Sequence, residues 1–430
     1  MLNPRLFYNI LLWVLLPYIF IRLFWRARQQ PEYLRHIGER FGFYSIQFNR
    51  PIIWLHTVSV GETRAAQNII AQLRANYPNQ LILLTHTTPT GRAASEQLYA
   101  GDVIRVYLPY DYPFAVNRFI HYFKPQLGIL FETEIWFNLI HACRKSKTPL
   151  LLLNARMSDK SFRGYAKFAH LTSDALSNLA AIAAQTSEDA TRLESLGAKN
   201  VTVTGNLKFD IEPPPSMLEM GKQLRMRFNV VRKVFLAAST RDGEETLLLE
   251  AMQNVHIPSL LFVIVPRHPQ RFDEVATLLK KNNIPFLRKS CFNSKNGLKG
   301  HTVPADIQVV LGDTMGELLG YYAAADIAFI GGSLLPFGGQ NLIESCAVGT
   351  PVLIGPHNYN FAEVARKAVE AGVALQITDA EQLFQQIKFL MDSPSVLLDM
   401  KKRCKGFIES NCGATNKSMQ IIAKALNNQS

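Results

Sequence analysis

The segment from Asp326 to Pro356 reads DIAFIGGSLLPFGGQNLIESCAVGTPVLIGP and decides the fold. Within it, the apolar run Ile327 to Ile330 predicts a strand, Gly331 to Gly339 predicts a flexible loop, and Gln340 to Val348 predicts a helix. A second apolar run follows at Pro351. In a doubly wound sheet such a loop lies at the carboxyl end of a strand, and the helix after it points free N–H groups at the ligand. The segment therefore predicts a ligand-binding edge of a parallel sheet.

Two side chains at the start of the predicted helix, Asn341 and Glu344, are three residues apart and are expected to project from one helix face. The free N–H groups beside them favour an anion such as a phosphate, and a carboxylate can accept hydrogen bonds from a ribose diol. A purely structural interpretation also fits, in which Asn341 caps the helix, Glu344 completes a capping pair and the glycines only make turns. The pattern alone leaves both interpretations open.

The same alternation of apolar runs and helical segments extends through the rest of the chain. It begins near Ile52, breaks at the three prolines within Ile211 to Ser216, and restarts at Val234. Unbroken apolar strands alternating with helices indicate parallel sheets covered on both faces, and 430 residues are too many for one ordinary core. We therefore predict an α/β protein with two parallel-sheet domains facing each other across a cleft. The polar region Lys289 to His301 is predicted to be a loop.

The charge balance indicates an anionic partner. The net charge is +12 and the pI is near 9.4. No nucleic-acid-binding module is recognisable and the basic residues are dispersed, so a phosphorylated lipid and an anionic membrane are favoured over nucleic acid. The five cysteines form no CxxC pair, which predicts reduced thiols rather than a zinc site or a disulfide framework. The absence of a Walker loop and of GxGxxG removes the usual support for an ATPase or a dinucleotide oxidoreductase.

The N-terminal stretch Leu6 to Ile21 contains no charged residue, and four arginines follow it, at Arg22, Arg26, Arg28 and Arg35. No small-residue cleavage site of a signal peptide is evident. The stretch predicts a membrane-anchor helix that either spans the bilayer or lies in one leaflet. The arginines on its carboxyl side place the main body on the cytoplasmic face. A buried core helix is disfavoured because the run is nearly all apolar.

Acidic residues and one lysine follow the predicted strands of the first domain. Glu62 ends the strand-to-helix turn SVGE, where it could take a proton from a substrate hydroxyl or could be an ordinary acid in the first turn of a helix. Ser59 is a weaker candidate for a nucleophile. Glu132 and Glu134 in FETEIW are expected to share one side of the chain. Metal binding is not expected there, because no histidine or DxD pattern accompanies them. Lys208 could neutralise a phosphate or a carboxylate, or be a solvated surface lysine.

Three segments of the second domain fit a bound nucleotide. Arg267 lies between Pro266 and Pro269, directly after the strand that ends near Val265, and its guanidinium suits phosphate contact. A nucleobase could lie against the turn in Gly312 to Glu317, although this turn also fits a plain capping box. The loop Ala238 to Glu245 is one more strand end of the same kind.

Taken together, the motifs resemble the Kdo transferases of lipopolysaccharide synthesis, which move 3-deoxy-D-manno-octulosonic acid (Kdo) from CMP-Kdo to lipid A precursors. The resemblance covers nearly the whole chain and rests on GERFG (38–42), HTVSVGET (56–63), THTTPTG (85–91), ETEIW (132–136), NARMS (154–158), TGNLKFD (204–210), PRHPQRF (266–272), GDTMGEL (312–318) and GGSLLPFGGQNLIE (331–344). It implies the GT-B architecture with two Rossmann-like domains and an inverting reaction that uses no metal or other cofactor.

The resemblance also implies roles for individual residues. Glu62 resembles the family's catalytic base, and Glu132 and Lys208 match positions credited with transition-state stabilisation. The residues implied to bind CMP are Pro266, Arg267, His268, Met315, Gly316, Glu317, Asn341, Leu342, Ile343 and Glu344. The implied partners are CMP-Kdo, the lipid A precursor lipid IVA and the anionic cytoplasmic leaflet of a bacterial inner membrane, with no nucleic acid.

The apolar N-terminal stretch and the break at the prolines set the predicted domain bounds, and the resemblance implies the acceptor and donor roles of the domains. They are an N-terminal membrane anchor over 1–30, an acceptor domain over 31–210, a linker over 211–230 and a CMP-sugar donor domain over 231–430. The last helical segment, around Cys404 to Ala425, is a candidate for crossing back to the first domain.

The chain departs from the family pattern in the segment that decides the fold. The family usually has GGHNPLEP, where this chain has Gln340, Leu342 and Ser345 in place of the histidine and both prolines. Two alternatives follow: another GT-B enzyme that uses a UDP-sugar, as a transferase or a 2-epimerase, or an anchored GT-B protein without activity. Epimerases usually lack a membrane anchor, and the retained acidic and basic motif residues argue against an inactive protein.

Overall fold

The computed structural model describes residues 4–292 and 302–427, so most of the loop predicted over Lys289 to His301 lies outside the described residues. The chain divides into two compact units. The N-terminal unit comprises Met1–Asp210 with Cys412–Ser430, and the C-terminal unit comprises Ile211–Asn411.

In its described part, the N-terminal unit is built on a seven-stranded parallel sheet with the strand order β3-β2-β1-β4-β5-β6-β7. Its strands are β1 (Ile52–His56), β2 (Leu81–His86), β3 (Ile104–Tyr107), β4 (Leu127–Phe131), β5 (Leu150–Ala155), β6 (Ala181–Ala184) and β7 (Val201–Val203). Its first nine helices are α1 (Pro4–Gln29), α2 (Val60–Ala65), α3 (Gln67–Asn76), α4 (Pro89–Tyr99), α5 (Pro113–Phe123), α6 (Phe137–Lys145), α7 (Asp159–Ala166), α8 (Ala169–Ser177) and α9 (Ser187–Ser195). The strand order reverses between β1 and β4, so the loops after these two strands border the crevice where ligands bind in such sheets.

The core lies on both faces of this sheet because successive residues of a buried strand point to opposite sides. In β1, Trp54 packs with Phe119 in one apolar cluster, and its neighbours Ile53 and Leu55 belong to a second cluster. Fully burying an aliphatic or aromatic side chain of this kind contributes about 1.5–3 kcal/mol to the free energy of folding. The unbroken apolar strands of the sequence are explained by this burial on two faces.

The C-terminal unit repeats the plan, with a described sheet of seven parallel strands in the order β10-β11-β9-β8-β12-β13-β14. Its strands are β8 (Lys233–Thr240), β9 (Leu260–Pro266), β10 (Phe286–Arg288), β11 (Val309–Leu311), β12 (Ile327–Ile330), β13 (Val352–Ile354) and β14 (Ala374–Gln376). The remaining helices are α10 (Pro215–Arg227), α11 (Glu244–Asn254), α12 (Phe272–Lys281), α13 (Leu318–Ala324), α14 (Ile343–Ala347), α15 (Ala362–Glu370), α16 (Ala380–Asp392), α17 (Pro394–Asn411) and α18 (Ala414–Asn427). The predicted α/β fold with two parallel-sheet domains is confirmed.

A helix follows each of the two boundaries between the units, α10 after the first and α18 after the second. Helix α10 occupies most of the segment 211–230 and packs closely on α13, where a Cβ on Gly221 would lie 2.5 Å from the Cβ of Ala323. Helix α18 belongs to the N-terminal unit and packs on α3. The Asp210 carboxylate accepts hydrogen bonds from the backbone N–H groups of Gly413, at 2.6 Å, and Thr415. The chain therefore leaves the N-terminal unit and returns to it at the same place.

Helix α1 lies against the N-terminal unit along one flank. Ring pairs dock it there, among them Tyr8 with Phe137, Trp13 with Tyr112 and Phe20 with Phe41. By length and composition it is long and apolar enough to cross a membrane. Most of its large apolar side chains are exposed, including Val14 and Ile21 at 70% and 66%.

Candidate active site

The first predicted site residue, Glu62, lies where β1 ends and α2 begins. The Ser59 hydroxyl oxygen accepts a hydrogen bond from the Glu62 backbone N–H at 3.3 Å and donates one to Glu62 Oε1 at 2.9 Å. The Val58 backbone N–H donates to Glu62 Oε2 at 2.8 Å. Glu62 therefore makes the contacts of a helix cap, and Ser59 is the capping residue. Each carboxylate oxygen still has acceptor capacity for a further hydrogen bond.

The surroundings of Glu62 make its carboxyl group more basic than usual. Burial raises the pKa of Glu62 to about 7, and the charge of Glu132 acts in the same direction. The hydrogen bonds from Val58 and Ser59 and the charge of Lys208 lower the pKa without offsetting the burial. A carboxyl group with a pKa near neutral pH is suited to general base catalysis, because it is partly ionised and still accepts a proton readily.

Glu132 and Lys208, 76 residues apart in the chain, form an ion pair with 2.8 Å between Oε1 and Nζ. Glu132 follows β4 and has a φ of 58°, in the left-handed region that costs a side chain of this size about 1–3 kcal/mol. Its backbone N–H continues the sheet by donating to Leu153 O at 3.0 Å. About a quarter of each side chain is exposed, so the pair is accessible to a ligand. The structure thus brings the three predicted catalytic residues of the N-terminal unit together.

Glu134 joins the same group of carboxylates. Burial raises the pKa of Glu134 to about 7, and the charges of Glu62 and Glu132 add to this effect. The Trp136 ring N–H donates to Glu134 Oε2 at 2.6 Å. His56 Nε2 lies 3.8 Å from the same oxygen. Burial lowers the pKa of His56 to about 3, so this histidine is neutral and no ion pair forms.

In the C-terminal unit, the loops after β11, β9, β8 and β12 leave one edge of the sheet beside each other. Pro266 ends β9, and the Arg267 backbone N–H donates to Thr240 O at 3.0 Å. His268 Nε2 accepts a hydrogen bond from the Arg241 guanidinium at 2.8 Å. Burial and the neighbouring arginines lower the pKa of His268, so it is neutral and can accept this bond. The structure places Arg241 next to Arg267 and His268, two of the residues predicted to bind CMP.

The glycine-rich loop 331–339 is tied to the loop after β8 by one buried carboxylate. Glu244 accepts hydrogen bonds from the backbone N–H groups of Arg241, Gly332 and Leu334 at 2.9, 2.7 and 3.0 Å. Glu244 is fully buried, and several backbone N–H groups partly offset the effect of that burial on its pKa, which is raised. A carboxylate held in this way fixes the loop rather than binding a ligand.

The helix predicted over Gln340 to Val348 is shorter than expected, because α14 begins only at Ile343. Asn341 lies before the helix, and its Oδ1 accepts a hydrogen bond from the Ile343 backbone N–H at 3.1 Å. The prediction that Asn341 and Glu344 project from one helix face is therefore wrong. Leu342 and Ile343 are buried, at 1% and 0% exposure, so only their backbone groups could reach a ligand.

The predicted segment Met315 to Glu317 is a turn that precedes α13. Gly316 has a φ of 80° and Met315 is 59% exposed. The Glu317 carboxylate accepts hydrogen bonds from Lys289 Nζ at 2.6 Å and from the Thr314 hydroxyl. Arg267 and Glu344, which are also predicted to bind CMP, both affect the pKa of the buried Tyr322 through their charges.

Sequence reasoning missed several residues near these sites. His56 and Trp136 lie within the motifs HTVSVGET and ETEIW, but no sequence pattern predicted that their side chains lie beside the Glu134 carboxylate. The acids Glu244 and Glu245 at the start of α11 are both fully buried, which their sequence context did not indicate. Among residues 4–292 and 302–427, no group of three or more His, Cys, Asp and Glu side chains is placed to hold a metal ion.

Comparison with known proteins identifies two family models in the chain. Residues 35–211 match the model for 3-deoxy-D-manno-octulosonic-acid transferase (kdotransferase), and residues 291–407 match the model for glycosyl transferases group 1. The 3-deoxy-D-manno-octulosonic acid transferase of Bordetella pertussis is 38% identical over 430 residues, covering 96% of this chain and 98% of the relative. That of Haemophilus influenzae is 37% identical over 426 residues, covering 97% and 98%.

A solved structure supports the fold alone. The crystal structure of Anabaena HepE in complex with UDP is 15% identical, covers 88% of this chain and 100% of that chain, and gives a TM-score of 0.57.

Proposed function

The chain belongs to the 3-deoxy-D-manno-octulosonic acid transferase family, and from this premise we propose that it transfers Kdo from CMP-Kdo to a hydroxyl group of a lipid A precursor. The observation that carries the proposal is the placement of Glu62, with a pKa raised to about 7, beside the ion pair of Glu132 and Lys208. Glu62 and Glu132 lie after β1 and β4, where the strand order reverses, and Lys208 reaches them from the turn after β7.

In the proposed reaction, Glu62 takes the proton of the acceptor hydroxyl. The acceptor oxygen then forms a bond to the anomeric carbon of Kdo, while the bond from that carbon to the phosphate oxygen breaks and CMP leaves with the electron pair. The attack occurs from the face opposite to CMP, which inverts the configuration. Lys208 offsets negative charge on the sugar carboxylate or the departing phosphate, and Glu132 holds the lysine in position.

The C-terminal unit is proposed to bind CMP. Arg267 would contact the phosphate, and Glu344 would accept hydrogen bonds from the ribose. Pro266, His268 and the turn Met315 to Glu317 complete this proposed site. The reaction is proposed to need no metal ion or other cofactor.

Replacement of Glu62 tests the proposal. In an assay with CMP-Kdo, a lipid A precursor and EDTA, Glu62→Gln is expected to lower kcat by roughly 10²–10⁴-fold, because the general base is lost. The dissociation constant for CMP-Kdo should change less than twofold. Glu96→Gln is a matched control, since Glu96 is an exposed acid on α4 with 59% side-chain exposure. Full residual activity of Glu62→Gln would exclude the base assignment.

The UDP-sugar alternative is tested by the choice of donor. The HepE likeness concerns only the fold, and family membership favours Kdo transfer. A competition experiment in which UDP displaces a bound donor analogue better than CMP does would favour the alternative. Turnover of CMP-Kdo would exclude the inactive-protein alternative.

We also propose that α1 holds the enzyme on the cytoplasmic face of a bacterial inner membrane. The exposed apolar side chains of the helix and the arginines in its carboxyl-terminal part support this location.

A further inference from the structure

The N-terminal unit contains a cavity of about 340 Å³ between α1 and the ends of β1, β2 and β3. Its wall on the α1 side carries Tyr18, Leu23 and two arginines, Arg22 and Arg26. The two arginines are four residues apart, so both project from one face of the helix into the same space. Like charges at this spacing repel each other, and an anion between them would remove that repulsion.

A third arginine, Arg40, lies deeper in the same cavity wall and is only 3% exposed. Its Nη1 donates to Thr87 O at 3.0 Å, and its guanidinium lies 4.0 Å from the centre of the Tyr107 ring. Its Nε and Nη2 are buried and have no hydrogen-bond partner within the described residues. Arg40 forms no ion pair with a carboxylate of the described residues, and the adjacent Glu39 pairs with Arg92 at 2.7 Å. A buried cation without a counterion is costly, and an anion in the cavity would compensate its charge.

The cavity also borders the neighbours of Glu62. Val58, whose backbone N–H binds Glu62, contributes to the wall, and so does Glu134, the one acid among the residues that line it. Glu134 is held by Trp136, which lines the cavity too. A ligand with its anionic group at the arginines would therefore extend toward Glu62.

The chemistry of the wall favours an amphiphilic ligand. One side of α1 gives apolar and basic groups to the cavity, while large apolar side chains elsewhere on the same helix, such as Phe24 and Trp25, are exposed at 57% and 61%. A glycolipid could place its charged headgroup in the cavity and leave its acyl chains beside the exposed face of α1. A free inorganic phosphate would use the arginines but not the apolar surface.

We propose that this cavity binds a phosphate group of the glycolipid acceptor, with Arg22 and Arg26 as its direct contacts and Arg40 as the buried countercharge. The proposal rests on the proposed function, because it assigns the acceptor subsite of that reaction. Arg22 and Arg26 would orient the acceptor so that its hydroxyl group lies toward Glu62. They are positioning residues and not catalytic ones.

The test compares the acceptor with and without its phosphate groups, in detergent micelles. The wild type should use the phosphorylated acceptor with a kcat/KM at least tenfold higher. Arg22→Gln with Arg26→Gln should remove that preference by raising KM for the phosphorylated acceptor roughly tenfold or more, as expected for lost charge-assisted contacts. KM for CMP-Kdo and turnover of the dephosphorylated acceptor should not change. Arg28→Gln, an exposed arginine of the same helix outside the cavity wall, is the matched control and should retain the preference.

Binding measurements separate this proposal from the proposed function. If the wild type transfers no Kdo but binds the phosphorylated acceptor in a manner that depends on Arg22 and Arg26, the reaction assignment fails and the subsite stands. If the wild type transfers Kdo to both acceptors equally well, or the double variant loses both activities equally, the subsite is wrong. Equal competition by inorganic phosphate or by phosphatidylglycerol vesicles would assign the arginines to free phosphate or to the membrane surface and would also overturn it. Arg40→Lys, which keeps the charge, should retain the preference, whereas Arg40→Gln should reduce it.

Discussion

At the scale of single residues, the site depends on balancing charges around Glu62. Its carboxyl group belongs to a group of three acids with Glu132 and Glu134, and the charge of Lys208 lowers the pKa of Glu62 against their repulsion. As the proposed general base, Glu62 must be ionised to accept a proton, so kcat/KM is expected to rise with pH and to level off above an apparent pKa of about 7.

Removal of the negative or of the positive charge of the Glu132–Lys208 ion pair should shift this pH profile in opposite directions. Glu132→Gln removes a negative charge that raises the pKa of Glu62, so the midpoint should shift to lower pH. Lys208→Met removes a positive charge that lowers it, so the midpoint should shift to higher pH. Both variants should also lose kcat, and therefore the midpoint of the profile, measured as kcat/KM from pH 5 to 9, is the informative quantity. Midpoints that move together would contradict the electrostatic account.

Several residues of the site could be predicted from the sequence because each follows a readable strand. Glu132 comes directly after an apolar run, Glu62 lies in the strand-to-helix turn after another, and the parallel sheet places those strand ends side by side. The pairing of Glu132 with Lys208 could not be predicted from the residues alone, since it depends on how β4 and the turn after β7 are arranged in space. The same holds for Arg40, whose burial against Tyr107 has no local signal.

At the scale of elements, burial explains where prediction from the sequence succeeded and where it failed. Strand β12 matches the predicted run Ile327 to Ile330, because buried strands of a parallel sheet are apolar on both faces. The helix after it was predicted too long because hydrophobicity does not mark its first residue: Leu342 is buried although it precedes α14. The docking of α1 was also not predictable, because its composition suggested only a membrane segment.

The docked position of α1 bears on whether the proposed anchor crosses the bilayer or lies in one leaflet. Ring contacts with the folded unit extend along the helix from Tyr8 to Phe20. Crossing the bilayer would carry the charged and polar groups beside these contacts, such as Asp111, into hydrocarbon. For the proposed membrane anchor, the contacts therefore favour a helix that lies in one leaflet over one that crosses the bilayer.

Charges placed on the exposed face of α1 should release the enzyme from membranes. Val14→Glu with Ile21→Glu removes two apolar side chains worth about 1.5–3 kcal/mol each on insertion, and binding to anionic vesicles should fall by roughly 100-fold or more. The Tm should change little, because both side chains are exposed in the folded unit. Val230→Glu with Val231→Glu, at positions 64% and 78% exposed in the C-terminal unit, is the matched control. Equal sedimentation of both variants with vesicles would contradict the role of α1.

At the scale of the whole molecule, the chain crosses between the units twice. It leaves the N-terminal unit after Asp210 and returns at Cys412, and Asp210 caps the helix that completes the return. The C-terminal unit is thus inserted in the sequence of the N-terminal unit, and the last helix of the chain belongs to the core of the first sheet. Met419 and Ile422 of α18 are part of the apolar cluster that contains Leu55 of β1.

Removal of α18 should therefore destabilise the N-terminal unit and not the C-terminal unit, although the C-terminal unit directly precedes the helix in sequence. A chain ending at Asn411 loses the burial of Met419 and Ile422, about 3–6 kcal/mol together, and leaves Asp210 without its two backbone donors. In calorimetry, the transition of the N-terminal unit should move to lower temperature, while the C-terminal unit should keep its transition and its stabilisation by CMP. Ile422→Ala in the full chain should reproduce part of the loss, about 2–5 kcal/mol, without removing the cap. An unchanged N-terminal transition, or a loss confined to the C-terminal unit, would show that α18 does not stabilise the sheet carrying Glu62.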